Sequence, residues 1–157
     1  RLVDGARRVG VPVVHAIAQW RPDRRGTPLN TPLVRALATD HEQILAGSDA
    51  VDLVRELGDT THDLRSVRHH GLTPFTGTDL DPLLRSLGVD TVVACGVSLN
   101  IGVLGLCLSA ADLGYRVVLP TDAVVGVPAE YGDEVLRNSL AMVAELSTVD
   151  DVLGRLS

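Results

Sequence analysis

The chain has 157 residues and a formal net charge of −6, and 45% of its residues are hydrophobic, which is typical of one globular domain. An aromatic content of 3% and the lack of a basic run exclude a nucleic-acid surface built on base stacking or phosphate contacts. All 14 basic residues are arginines, which excludes a Schiff-base lysine and a P-loop lysine.

The same sequence argues against a membrane partner and a bound metal. No apolar run is long enough to span a membrane and no signal peptide is visible, so we expect a cytoplasmic protein. Cys95 and Cys107 are isolated in apolar surroundings and indicate neither a disulfide framework nor a zinc site. We interpret both as small buried residues, and we predict no cofactor.

The first 68 residues alternate between helical and strand patterns. An amphipathic helix ends at Gly10, and a buried strand follows from Val11 to Ala18. After a loop rich in Pro, Arg and Gly, "LVRALA" predicts a short helix. Between Asp40 and Gly58, "DAVDLVREL" is the best helical segment, and "DLRSV" is a weak strand candidate.

The remaining residues continue this alternation. The loop "RHHGLTPFTG" precedes a helix over "TDLDPLLRSLG", which either Thr78 or Asp81 caps. "DTVVACG" predicts a buried strand. The helix that begins at Asn100 has no charge before Asp112, which predicts burial in the core or in a subunit interface. The strand "YRVVLP", an amphipathic helix, a short strand at residues 144–147 and a terminal helix follow.

This order of elements predicts an α/β fold with three α-β-α layers, in which helices cover both faces of a mostly parallel sheet. No internal repeat or linker divides the chain, so residues 1–157 are predicted to form a single domain. An α/β chain that begins with a helix is unusual.

Three segments carry a resemblance to a known family. "DTVVACGVSLNIGVLGLCLSAADLGYRVVLPTDA" resembles the second half of the isochorismatase-like (cysteine hydrolase) superfamily, where a strand leads through Gly-Val to a nucleophilic cysteine that opens a helix. "LTPFTGTDLDPLL" is similar to a segment that the family places upstream, and "RLVDGARRVGVPVVHAIA" resembles its first helix and second strand. Together these segments cover nearly the whole chain.

The resemblance implies a Cys, Lys and Asp triad, and a cis peptide bond that would join Val97 to Ser98 here. A helix N-terminus favours the thiolate, and the cis bond aims backbone donors at a developing oxyanion. In this sequence Gly102 occupies the cysteine position, His69 occupies the lysine position, and the family's Asp-bearing first strand is missing. Because that strand lies in the middle of the family's sheet, we expect an N-terminally incomplete domain or another segment in its place.

His69 is the candidate catalytic residue, as a cation or a general acid in place of lysine. The alternative is that His69 and His70 are a partly exposed pair of loop histidines. Gly102 either opens the site to a substrate or packs tightly with the help of Gly105, and Trp20 either walls the pocket or covers the sheet edge. The predicted substrate pocket consists of Trp20, His70, Phe75, Val97, Ser98, Asn100 and Gly102.

The other polar residues carry weaker signals. His15, in the middle of a strand, is interpreted as a satisfied core residue rather than a ligand. The loop "QWRPDRRG" offers only Asp23 as a metal ligand, and "DHEQ" at residues 40–43 is interpreted as a solvated helix start. We therefore predict no metal site.

Two functions are compatible with these residues. The first is a small-molecule hydrolase of the isochorismatase-like type that works without cysteine; true isochorismatases, a branch of the family, protonate a vinyl ether and need no covalent intermediate. The second is a catalytically inactive homologue that serves as a small-molecule binding or assembly module. The uncharged helix from Asn100 also predicts a homodimer or larger homo-oligomer.

Overall fold

The computed structural model describes residues 1–39 and 44–156, and it shows an α/β fold in which every strand pair is parallel. The "DHEQ" prediction lies outside the described residues. Helices α1 to α6 span Leu2–Arg8, Pro32–Thr39, Leu80–Ser86, Leu104–Asp112, Ala129–Asn138 and Val149–Leu156. Strands β1 to β5 span Val14–Ala18, Leu64–Arg68, Thr91–Val93, Arg116–Pro120 and Glu145–Ser147.

Five short turns occur between these elements. A π-helical turn, Leu99–Val103, leads into α4, so the helix predicted to begin at Asn100 has an irregular first turn. The other four are 3-10 turns and span Asp49–Val51, Arg55–Leu57, Thr121–Ala123 and Leu140–Met142.

Several predictions of local structure need correction. The two strands predicted as buried, β1 and β3, contain no fully buried residue and border an open groove. The helix predicted over "DAVDLVREL" is wrong, because the backbone becomes extended at Asp52 and Val54 and only two 3-10 turns form.

Neither of the two residues considered as caps is the N-cap of α3, which is Asp79 and makes no side-chain capping hydrogen bond. The Thr78 hydroxyl, one residue earlier, accepts the backbone N–H of Leu80 at 3.3 Å. Asp81 lies inside the first helical turn instead.

The five strands form two separate sheets. In one sheet β1 pairs with β2, and in the other β4 lies between β3 and β5. The predicted parallel direction is confirmed, while the single predicted sheet is divided because no described strand lies between β1 and β3. Both of these strands line one apolar groove, whose wall includes Ala16, Phe75 and Val92.

The main hydrophobic core surrounds β4. Leu99, Leu119, Leu140 and Cys107 are almost completely buried and belong to one cluster of apolar side chains. Burial of a leucine side chain stabilises a fold by about 2 kcal/mol. α4 packs against β4, and α1 packs against α6. Within the described ranges, no helix combines the length and the apolar character needed to cross a bilayer.

Candidate functional site

The segment between β3 and α4 forms a sharp corner, which we call the 96–102 corner. Its backbone is hydrogen-bonded to the segment that follows β4. Gly96 N–H donates to the Ala123 carbonyl at 2.9 Å, and Leu99 N–H donates to the Val125 carbonyl at 2.8 Å. A cis peptide bond joins Val97 to Ser98, as the resemblance implies. The Val97 side chain is 68% exposed, so the outer side of the corner is accessible.

Gly102 lies inside the π-helical turn, beside the Val97 carbonyl. A Cβ atom built at Gly102 would lie 3.6 Å from the Val97 oxygen, an ordinary van der Waals distance, and would meet no side chain within 4 Å. At Gly105 the same atom would lie 2.8 Å from Thr73 Cγ2. Tight packing therefore explains why residue 105 is a glycine, but it does not explain the glycine at position 102. At Gly102 the structure leaves room for a side chain or a ligand.

Asn100 ties the corner to the segment before α5. Its side-chain amide donates to the Val127 carbonyl at 2.9 Å, and its side-chain oxygen accepts the Val127 N–H at 2.9 Å. Both polar ends of this predicted pocket residue therefore bind backbone. Its own backbone N–H has no backbone acceptor among the described residues.

The two predicted aromatic pocket residues are buried. Phe75 belongs to the core, where its ring stacks on that of Tyr115 with centroids 6.0 Å apart. Trp20 is 5% exposed, and its backbone extends the first sheet by pairing with residues 44–46. The Arg24 guanidinium lies over the Trp20 ring, 5.9 Å from its centroid. Only Phe75 of this pair borders the groove between β1 and β3.

The two adjacent histidines are exposed but make defined contacts. His69 Nδ1 donates to the Gln19 carbonyl at 3.1 Å, which ties the loop after β2 to the end of β1. His70 packs over Gly77, where a Cβ atom would lie 2.6 Å from the imidazole Cε1. This exposure fits the alternative of a loop pair, and a catalytic role for His69 stays a prediction.

His15 takes part in a charged cluster at the start of the first sheet. Its Nε2 lies 2.7 Å from Asp63 Oδ2, and the same carboxylate accepts two hydrogen bonds from Arg7 at 3.0 and 2.5 Å. The hydrogen bonds with Arg7, and to a smaller extent that with His15, hold the pKa of Asp63 at about 2 against the opposing effect of burial. His15 therefore has a hydrogen-bond partner, as predicted, but it belongs to this charged cluster and not to the hydrophobic core.

Sequence reasoning missed two features of the first sheet. It did not identify Asp63 as the partner of Arg7 and His15, because those residues lie 56 and 48 positions away and no local pattern joins them. It also passed over Arg68, the last residue of β2. The sequence signal that could have identified Arg68 is a charged arginine within a segment that has the pattern of a strand.

Neither cysteine has the surroundings of a reactive thiol. Cys107 is completely buried, as predicted, and burial raises the pKa of its thiol to about 11. The prediction that Cys95 is buried is wrong, since it is exposed at the apolar groove, where loss of hydration still raises its pKa. Thiolate formation is disfavoured at both positions. Across residues 1–39 and 44–156, no three His, Cys, Asp or Glu side chains cluster as a metal site would require.

The comparison with protein families agrees with this geometry. The model of the isochorismatase domain matches residues 1–151. The chain belongs to the isochorismatase family.

Curated relatives align with this chain over only part of their own length. The chain is 34% identical over 100 residues to the uncharacterized isochorismatase family protein YecD of Escherichia coli O157:H7, covering 64% of this chain and 53% of that protein. It is also 34% identical over 101 residues to streptothricin hydrolase of Streptomyces noursei, covering 62% and 36%. The chain thus spans about half the length, or less, of these curated relatives.

Solved structures of other proteins have the same fold as this chain. An isochorismatase family protein from Desulfovibrio vulgaris aligns with a TM-score of 0.84 at 26% identity, covering 98% of this chain and 81% of that one. N-carbamoylsarcosine amidase from Thermoplasma acidophilum aligns with a TM-score of 0.75 at 24% identity, covering 95% and 79%. The second likeness shows the fold alone.

Proposed function

We propose that this protein is an isochorismatase-family hydrolase that acts on a small molecule without a cysteine nucleophile. The observation that carries the proposal is the open position at Gly102, where no side chain lies within 4 Å of a Cβ atom. In an open α/β sheet, ligands bind where strands end and helices begin, which is the location of this corner.

Hydrolysis without a nucleophilic side chain favours one kind of substrate. A vinyl ether is protonated on its terminal carbon to give an oxocarbenium ion, and water then adds to the adjacent carbon. The resulting hemiketal breaks into an alcohol and a carbonyl compound, with the proton returned to the donor. We therefore favour a vinyl ether over an amide, which needs a stronger nucleophile than neutral water.

His69 is the proton donor we propose among the described residues. Imidazolium is a side-chain acid suited to neutral pH. Asp122 is unsuited as the proton donor, because its carboxylate accepts the Val149 N–H at 2.9 Å at the start of α6. The backbone N–H of Asn100 would orient the substrate oxygen at the corner.

A binding or assembly module is the second candidate. The observation that favours it is the occupation of polar groups by the protein itself: Asn100 binds the Val127 backbone and His69 binds the Gln19 carbonyl. A pocket whose polar side chains are satisfied internally can retain a ligand without turning it over.

The test is a hydrolase assay on the full-length protein with isochorismate and a panel of small amides. We expect isochorismate turnover that survives alkylation by iodoacetamide and falls about a hundredfold in His69→Gln. His62→Gln, at an exposed position in the turn before β2 and outside the predicted pocket, is the control and should retain activity. Ligand binding by calorimetry without turnover would support the binding module instead. Loss of turnover on alkylation would show that Cys95 or Cys107 takes part.

A further inference from the structure

The segment that follows β4 runs beside the 96–102 corner and is joined to it by a short ladder of backbone contacts. Gly96 forms an isolated parallel bridge with Val124, and Val125 N–H donates to the Gly96 carbonyl at 3.4 Å. Leu99 N–H then donates to the Val125 carbonyl at 2.8 Å. At Leu99 the corner enters the π-helical turn, and among the described residues this is the last backbone hydrogen bond between the two segments.

The side chain of Asn100 continues this ladder by one more pair. Its amide nitrogen donates to the Val127 carbonyl and its oxygen accepts the Val127 N–H, each at 2.9 Å. A carboxamide carries a donor and an acceptor side by side, so one side chain satisfies both polar groups of a backbone residue. A carboxylate has two acceptors and no donor. Asparagine therefore fits this position in a way that aspartate at neutral pH does not.

Both ends of the link between Asn100 and Val127 are fixed by packing. Leu99, next to Asn100, is 1% exposed and belongs to the main hydrophobic core. On the other side, Gly126 packs so closely on α5 that a Cβ atom there would lie 2.9 Å from the Gly132 backbone. Because close packing holds the neighbour at each end, the link has little freedom to shift when a ligand binds.

This link bears on the polar group that the proposed mechanism uses at the corner. The backbone N–H groups of Ile101 and Val103 both donate to the Ser98 carbonyl, at 3.3 and 3.1 Å. The N–H of Asn100 has no backbone acceptor in the described part of the chain. Its direction is set by the backbone of Asn100, which the side chain of the same residue anchors to Val127. A donor held in place before the substrate arrives keeps the bound substrate in a reactive orientation.

We propose that Asn100 is a positioning residue, whose side chain holds the corner in the geometry that aims its backbone N–H at a substrate oxygen. The inference rests on the proposed function for the role of that N–H. Misplacement of the donor leaves the substrate bound but turned away from the proton donor, so it should lower kcat more than it raises KM. An asparagine that only stabilised the fold would not produce this division.

A substitution by aspartate tests the link without any need for turnover. In Asn100→Asp the protonated acid keeps one donor and one acceptor in the same shape, whereas the carboxylate has no donor for the Val127 carbonyl. The backbone amide signals of Gly102 and Val127 are followed in the 15N-labelled full chain from about pH 7 to about pH 3.5, across the range in which an aspartic acid takes up its proton. We expect both signals to differ from those of the wild type at neutral pH and to return to them as the acid is protonated.

Two further variants separate a change of geometry from a change of charge. Asn30→Asp makes the same substitution in an exposed loop and should leave both signals at their wild-type positions at every pH. Asn100→Ala has neither donor nor acceptor and should displace both signals at every pH. Signals of Asn100→Asp that move with pH without approaching those of the wild type would report the nearby charge alone and overturn the proposal. Wild-type signals in Asn100→Ala would overturn it as well.

Steady-state kinetics with isochorismate provide the second readout. Asn100→Asp is expected to lower kcat about tenfold at neutral pH with little change in KM, and the ratio of its kcat to that of the wild type should recover as the pH falls. Asn30→Asp should leave both constants unchanged. Turnover with an unchanged kcat in Asn100→Asp, or with an equal loss at every pH, overturns the inference and leaves the proposed hydrolase intact. Amide signals that return at low pH in a protein without turnover would support the positioning of the corner by Asn100 and contradict the hydrolase.

Discussion

The two sheets of this molecule are stabilised by different kinds of contact. The sheet of β3, β4 and β5 packs against a continuous apolar cluster that includes Leu99, Leu119 and Leu140. In the described residues before Phe75, the buried hydrophobic side chains are only those of Ala6, Trp20 and Val34. The sheet of β1 and β2 is instead stabilised at the N-terminal end of its strands by the charged cluster around Asp63.

Different forces therefore hold the two sheets in place. Apolar burial is insensitive to pH and acts without direction, so it stabilises the second sheet as a unit. The charged cluster is directional: Arg7 of α1 binds Asp63 and also donates to the Leu57 carbonyl at 2.7 Å, which fixes a helix and a loop relative to β2. The first sheet should therefore respond to the loss of one charge, and the second to the loss of volume.

The largest expected effect comes from the apolar sheet. Leu119→Ala removes a completely buried side chain from β4 and should lower the free energy of unfolding by about 3 kcal/mol through lost burial and a residual cavity. Urea unfolding followed by circular dichroism measures it. The control is Met142→Ala, since Met142 is 82% exposed and its truncation should change little. Equal losses in the two variants would contradict the assignment of the core.

The next largest loss in the free energy of unfolding is expected from the charged cluster. Asp63→Asn leaves Arg7 and His15 without their shared carboxylate, whose side chain is 5% exposed, and should cost about 2 kcal/mol at neutral pH. The same urea unfolding experiment measures this loss. Asp90→Asn is the control in the other sheet, because its ion pair with Arg116 is exposed on both sides and should contribute nothing measurable.

The same cluster fixes the direction of a pH effect. The pKa of Asp63 falls from 3.8 to about 2 in the folded protein, chiefly through its hydrogen bonds with Arg7. A depressed carboxyl pKa stabilises the fold fully above the unfolded value and loses that contribution as the pH falls through the folded value. The stability difference between the wild-type protein and Asp63→Asn should therefore shrink between pH 4 and pH 2. A constant difference would contradict the role of the cluster.

Sequence reasoning succeeded where local patterns decide structure. The apolar run of β4 and the helical segment of α3 were both predictable from neighbouring residues. It failed over "DAVDLVREL", where helical spacing is not matched by a buried face: Val54 is 62% exposed. The cis bond before Ser98 was accessible only through the family resemblance. The Asp63 cluster depends on contacts between residues that are distant in sequence, so no local pattern reveals it.

The smallest change in stability is expected at Gly102, in the 96–102 corner that leads from the second sheet into α4. Gly102→Cys adds a side chain where a Cβ atom meets only ordinary contacts, so the free energy of unfolding should change by less than about 1 kcal/mol. Gly126→Ala is the contrasting control, because a Cβ atom there would lie 2.9 Å from the Gly132 backbone, which cannot yield as a side chain can.

The introduced thiol also reports on the electrostatics of the corner. Burial raises the pKa of the thiols of Cys95 and Cys107, whereas residue 102 lies in the first turn ahead of α4, where backbone N–H groups favour an anion. Iodoacetamide should therefore modify Gly102→Cys faster than either native cysteine, as followed by mass spectrometry. Leu108→Cys, 45% exposed in the middle of α4 and away from the helix N-terminus, controls for accessibility alone. If both introduced thiols reacted at the same rate, the 96–102 corner would be open but would not stabilise negative charge, and the polar part of the proposed mechanism would fail.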